Sequence, residues 1–198
     1  MPSDISRRDV LKGLMVGVSG GAMLHTMPLQ AAQQVHRMVM EERAQASGGD
    51  YTPKFFTAHS YQTLRSLCQT IIPPDGEVGG ALEAGAPEFI DLLGSENQEY
   101  QLILGGGIAW LDSTCNDRYG KLFLECAPPQ QKEVLDQIAY RESERKDPAL
   151  GPGIKFFSLL RDLTTDGFFT SKIGIKYLGY IGNTYLAEFP GCPPLPES

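Results

Sequence analysis

The sequence predicts an all-α protein: one small helical domain, preceded by an export segment and followed by an extended C-terminal tail rich in aromatic, Gly and Pro residues. Three observations carry this reading. Apolar residues recur at three- and four-residue steps in several segments, the spacing of one helix face. Proline and glycine clusters sit where those segments should start and stop. No alternating stretch is long enough for a strand, and no internal repeat is present.

The chain opens with Ser6-Arg7-Arg8-Asp9-Val10-Leu11-Lys12 and an apolar run from Gly13 to Leu24. Paired arginines, Leu and Lys at their usual offsets and a short apolar run resemble a twin-arginine export signal, with Arg7, Arg8, Leu11 and Lys12 as its recognised residues. The run is shorter than the ~20 apolar residues a membrane-spanning helix needs. We assign residues 1–31 to this segment; Ala31 and Ala32 are small, but Leu29 suits a cut after Ala31 poorly. The twin-arginine route carries proteins folded in the cytoplasm. The cargo is therefore either a cofactor in this chain or a folded partner that travels with it.

Residues 32–54 are polar, with good helix formers up to Ser47-Gly48-Gly49-Asp50, and read as a linker or loose helix. Residues 55–198 form the domain. Thr57 can cap a helix over Ala58–Ile72, where Tyr61, Leu64, Leu67, Cys68, Ile71 and Ile72 share one face. Pro73-Pro74-Asp75-Gly76 stops it. Pro87 suits the first turn of a short helix through Leu93. Ser95 and Gln98 resemble a capping box for a helix to about Tyr119, weakened by Gly105-Gly106-Gly107. Pro128-Pro129 opens another, with Val134, Leu135, Ile138 and Ala139 on its stripe. Ile154 to about Leu163 is the last predicted helix. The Phe189-Pro190-Gly191-Cys192-Pro193-Pro194 tail cannot be helical.

Of 198 residues, 41% are apolar and 21% charged, ordinary for a globular protein. Net charge is −7, from 17 basic and 24 acidic residues; without residues 1–31, which hold three basic and two acidic groups, it is 14 − 22 = −8. An acidic body without Lys/Arg runs argues against nucleic acid as a partner.

Little points to catalysis. Besides His25 in the export segment there are only His36 and His59, both read as solvated or capping residues. Nucleophile-elbow, zinc-protease and phosphate-loop motifs are absent, as is the glycine fingerprint of a dinucleotide fold. Gly105-Gly106-Gly107 reads as a close helix contact. Cys68, Cys115, Cys126 and Cys192 are spaced too widely for zinc or iron–sulfur motifs and are disulfide candidates. Four cysteines allow three intrachain pairings; Cys115 and Cys126 could close a short loop, and Cys192 could reach another chain. Phe168, Phe169, Tyr177, Tyr180, Tyr185 and Phe189, interleaved with glycines, fit either a core or a partner interface.

The stretch Thr165-Asp166-Gly167-Phe168-Phe169-Thr170-Ser171-Lys172-Ile173-Gly174, then Leu178-Gly179-Tyr180 and Phe189-Pro190-Gly191-Cys192, resembles the C-terminal signature of the gluconate 2-dehydrogenase subunit 3 family. Leu64 to Ile71-Ile72-Pro73 and Gly85-Ala86-Pro87-Glu88-Phe89-Ile90 agree with it, so the resemblance spans residues 55–194. It implies a small non-catalytic subunit of a periplasmic dehydrogenase that oxidises sugars or sugar acids. It also implies a glucose–methanol–choline type flavoprotein as large subunit, holding the FAD and carried out by the small subunit through the twin-arginine translocase. A multihaem cytochrome c is implied as a third subunit. No catalytic, cofactor or metal residue is implied in this chain, and periplasmic location with membrane association through the complex is expected. A stand-alone secreted helical protein and an iron–sulfur electron-transfer subunit are the competing classes; the missing catalytic set and the cysteine spacing argue against them.

Overall fold

The computed structural model describes residues 28–45, 51–76, 78–140 and 147–182. Arg7, Arg8, Leu11, Lys12, Tyr185, Phe189 and Cys192 lie outside them. Among the described residues every regular element is helical: α1 Leu29–Gln45, α2 Ala58–Ile71, α3 Ala86–Glu96, α4 Gln98–Tyr100, α5 Gly106–Tyr119, α6 Pro128–Ile138, α7 Gly151–Phe169 and α8 Lys172–Tyr177. A wide π-helical turn, Gln101–Gly105, joins α4 to α5, and 3₁₀ turns occupy Phe123–Glu125 and Pro148–Leu150. The all-α expectation holds.

Helix α7 is the axis of the domain and packs against α1, α2, α3, α5, α6 and α8. Its inner face buries Ile154, Phe156, Leu160 and Leu163 against Phe89, Ile90, Leu104, Leu111 and Ile138 of its neighbours. Gly107 explains the closest approach: a Cβ there would lie 2.0 Å from Cγ of Phe156, so the α5–α7 contact requires glycine. Of the three adjacent glycines only this one is so constrained; nothing lies within 4 Å of a Cβ at Gly106. Gly153 likewise seats the Trp110 ring, 2.6 Å from where its Cβ would stand.

Local start and stop signals operate largely as read. Thr57 caps α2 by accepting from Ser60 N–H, and prolines stand in the first turns of α3 and α6. Three expectations are corrected. The cap of the fourth helix is Asn97, whose Oδ1 accepts from Glu99 and Tyr100, whereas the Ser95 hydroxyl donates back to Leu92 O. The polar segment read as a linker or loose helix forms α1, with Ala32, Val35 and Val39 buried against α3 and α7. The fully buried stripe is narrow, with Met38 partly buried beside it, and a narrow stripe suffices for a helix laid on a core. Finally, α7 runs six residues past Leu163. Thr164 is fully buried with its hydroxyl bonded to Leu160 O, and Gly167 lets the helix close on Ala86, 3.2 Å from its would-be Cβ. That packing offsets the ~1 kcal/mol a helical glycine costs.

His36 is also corrected from solvated to structural. Its ring stacks on Phe89 at 5.0 Å, and Nε2 meets Thr170 Oγ1 at 3.1 Å. The Thr170 hydroxyl donates to Asp166 O, which leaves its oxygen to accept from an Nε2–H. Burial lowers the His36 pKa to about 4, a hydrogen bond to the Gly167 backbone opposing the shift. The unfolded chain, with His near 6.5, then takes up this proton before the folded one. The stabilisation is complete above pH 6.5 and is lost as pH falls toward 4. We expect wild type to lose about 3 kcal/mol more than His36→Gln between pH 7 and 4. Urea unfolding at stepped pH measures this; parallel slopes for the two proteins would refute it.

Candidate functional site

The sequence signature from Thr165 to Tyr180 folds into a corner between α7 and α8. Ser171 makes the corner: its hydroxyl donates to Phe168 O at 2.6 Å and accepts from Gly174 N at 3.0 Å, which caps α8. Gly174 is required because a Cβ would lie 2.1 Å from Phe168 O. Phe168, Phe169 and Tyr177 form a ring cluster with centroids 5.0 to 6.4 Å apart, fastening α8 to α7.

This geometry divides the aromatic set. Phe168 is 4% exposed, so of the two roles open to it, core or partner interface, it takes the core: the ring is consumed in holding the corner. Phe169 is half-buried beside it. Tyr177 at 53%, Leu178 at 58%, Tyr180 at 46% and Ile181 at 87% face outward together. With Lys172, Ile175, Lys176 and Gly179, Tyr180 and Ile181 line an open, mostly apolar groove that includes two lysines. Leu178 and Ile181 are surface residues that sequence reasoning missed; their place one and four residues after Tyr177 was the available signal.

A polar centre forms around Glu88, within the Gly85-Ala86-Pro87-Glu88-Phe89-Ile90 motif, and Asp91, which follows it. Gly85 enters α3 in the left-handed region, at φ 77°, and Pro87 occupies the first turn. Glu88 stands at the positive end of α3, 3% exposed, with the Arg43 guanidinium on Oε1 and Arg65 at 3.7 Å. One turn on, Asp91 is fully buried and accepts from Tyr51 Oη, Lys54 N, Phe55 N and Phe56 N at 2.7 to 3.1 Å. Burial, with Asp91 beside it, pushes the Tyr51 hydroxyl pKa up. The two carboxylates are thus committed to holding α1 and the 51–57 segment on α3.

The fold also brings His59 to Asp112, 2.7 Å apart, a pairing invisible at a separation of 53 residues. The other Asp112 oxygen accepts from Phe123 N at 3.0 Å and so pins the turn after α5. Among the described residues no three His, Cys, Asp or Glu side chains gather as a metal site. No helix there is long and apolar enough to cross a membrane. Of the disulfide candidates, Cys68 is buried against Thr164 Oγ1 at 3.5 Å, while Cys115 and Cys126 are neighbours; all three are free thiols.

A family model described as gluconate 2-dehydrogenase subunit 3 matches residues 58–191, which include every element from α2 to α8. Neither curated proteins nor solved structures give a match. A match over that much of the chain means that it belongs to the gluconate 2-dehydrogenase subunit 3 family.

Proposed function

We propose that this chain is the accessory subunit of a periplasmic FAD-dependent dehydrogenase. It carries the folded glucose–methanol–choline type flavoprotein out through the twin-arginine translocase and stabilises it afterwards. Chemistry on the sugar or sugar acid belongs to the flavoprotein and its FAD. A multihaem cytochrome c receives the electrons, and the complex sits at the membrane through its other subunits. The observation that carries this reading is the set of outward apolar residues at the end of α8 and just after it, within the matched region. Four large apolar side chains exposed side by side on a small domain cost free energy in water and favour burial against a protein surface. Tyrosines are the anchors such interfaces favour, and Lys172 and Lys176 beside them suit an acidic border on the partner.

Co-expression with the large subunit tests it. Alanine at Leu178, Tyr180 or Ile181 is expected to weaken pull-down of the flavoprotein by about 1–4 kcal/mol in affinity, with little change in the melting temperature of the isolated chain. Phe168→Ala is the contrasting variant and is expected to unfold more readily, by about 3 kcal/mol. Undiminished capture by all three surface variants would place the docking surface elsewhere. Dye-linked dehydrogenase activity should require the large subunit, and turnover by the purified chain would refute the non-catalytic reading.

A further inference from the structure

We propose that Cys115 and Cys126 form an intrachain disulfide that clamps the turn after α5 to the helix, leaving Cys68 a permanent thiol. The argument starts from topology. Helix α5 ends at Gly120, whose φ of 66° reverses the chain, and its N–H closes on Asn116 O. The following turn lies back along α5. Phe123 N binds Asp112 Oδ1 at 3.0 Å, and Phe123 itself is 1% exposed. Cys115 lies one turn beyond Asp112 on α5, and Cys126 closes the short turn that Phe123 opens, so the packing of this turn on α5 brings the two cysteines into one neighbourhood. Both belong to one apolar cluster, and the Cys126 thiol is a side-chain hydrogen-bonding partner of Cys115. Neighbouring buried thiols, one on a helix and one on the turn packed against it, can be brought to the ~2 Å bond length by side-chain rotation.

Cys68 has a different neighbourhood. It lies on α2, fully buried, against Thr164 of α7. Burial pushes its thiol up to about 12 and does the same to Cys115, to which the Cys126 thiol adds. Neither is a thiolate at neutral pH, so neither reacts readily while the core is closed. Cys126, 5% exposed and on the short turn, is the sulfur that an oxidant meets first.

The oxidant is a disulfide, of low molecular weight or on a protein, as oxidising compartments supply. Cys126 thiolate attacks one of its sulfurs, forms a mixed disulfide and releases the first thiol. Cys115 thiolate then attacks the Cys126 sulfur and releases the second. Two thiol protons and two electrons pass from the cysteines to the two thiols released, and one S–S bond replaces another.

The test uses the purified full-length chain, refolded in a glutathione redox buffer so that burial imposes no delay. Two of the four thiols should disappear, with the mass falling by two hydrogens. Non-reducing digestion should yield one linked pair of peptides holding Cys115 and Cys126. Trypsin must be combined with chymotrypsin, which cuts after Trp110 and separates Cys68 from Cys115. Cys115→Ser and Cys126→Ser should each abolish the link and Cys68→Ser should keep it. The linked form should melt about 5–10 °C above the reduced one, as expected for a closed loop of this length. Four persistent thiols, or a link to Cys68 or Cys192, would overturn the assignment.

Discussion

Lysine at both Arg7 and Arg8 is expected to leave this chain and its flavoprotein partner in the cytoplasm, with periplasmic dehydrogenase activity falling to background. The substitution keeps both positive charges. What it removes is the planar guanidinium fork, with five fixed donors, which a compact ammonium cannot reproduce. Loss of export would therefore mark geometric recognition of the pair and not mere attraction of a basic segment. The informative readout is the second protein. Immunoblots of cytoplasmic and periplasmic fractions should show both chains retained together, since the partner is proposed to travel as folded cargo. A flavoprotein that reaches the periplasm while this chain stays inside would end the carrier reading, whatever the two proteins do once assembled.

Truncation of Asp91 to alanine is expected to cost about 3–5 kcal/mol, a large share of the 5–15 kcal/mol typical of a domain. Its carboxylate is fully buried and satisfies four donors, three of them backbone N–H groups of Lys54, Phe55 and Phe56. Alanine leaves those groups without a partner and opens a small polar void. Phe55 and Phe56, packed edge to face at 4.5 Å, would lose their seat with them. The Asp91→Asn variant should be intermediate, because an amide offers one oxygen but turns its NH₂ toward the same donors. Thermal melts should show a drop of about 6–20 °C for Asp91→Ala, with Asp91→Asn between it and wild type. A shift under about 3 °C for Asp91→Ala would mean that water or a local rearrangement replaces the carboxylate at no cost.

The corner that presents Tyr177, Leu178, Tyr180 and Ile181 was only partly legible. Its composition singled out the aromatic stretch, but composition cannot separate rings that fasten a helix from rings that face outward. Phe168 and Phe169 are adjacent in sequence, and both look equally available. Their fates diverge because α7 continues as a helix through Gly167, which turns Phe168 inward. That continuation depends on a contact with Ala86, 81 residues away, and no local preference reports it.

The sequence by itself determined what is local: the helical class, the Thr57 cap, the prolines in the first turns of α3 and α6, and the motifs that assign the family. Each depends on residues within one or two turns, where spacing and backbone chemistry are sufficient. Only the tertiary structure decided that α1 is part of the core, that His36 stacks on Phe89, that Asp91 is the hub of the 51–57 segment and that Cys115 faces Cys126. The first three are contacts between elements distant along the chain. The last depends on the direction in which one glycine sends the chain after α5. A short apolar stripe, a lone histidine or a single carboxylate carries the same local signal in solvent as in a core. Its role is set by which surface the remaining helices bring against it.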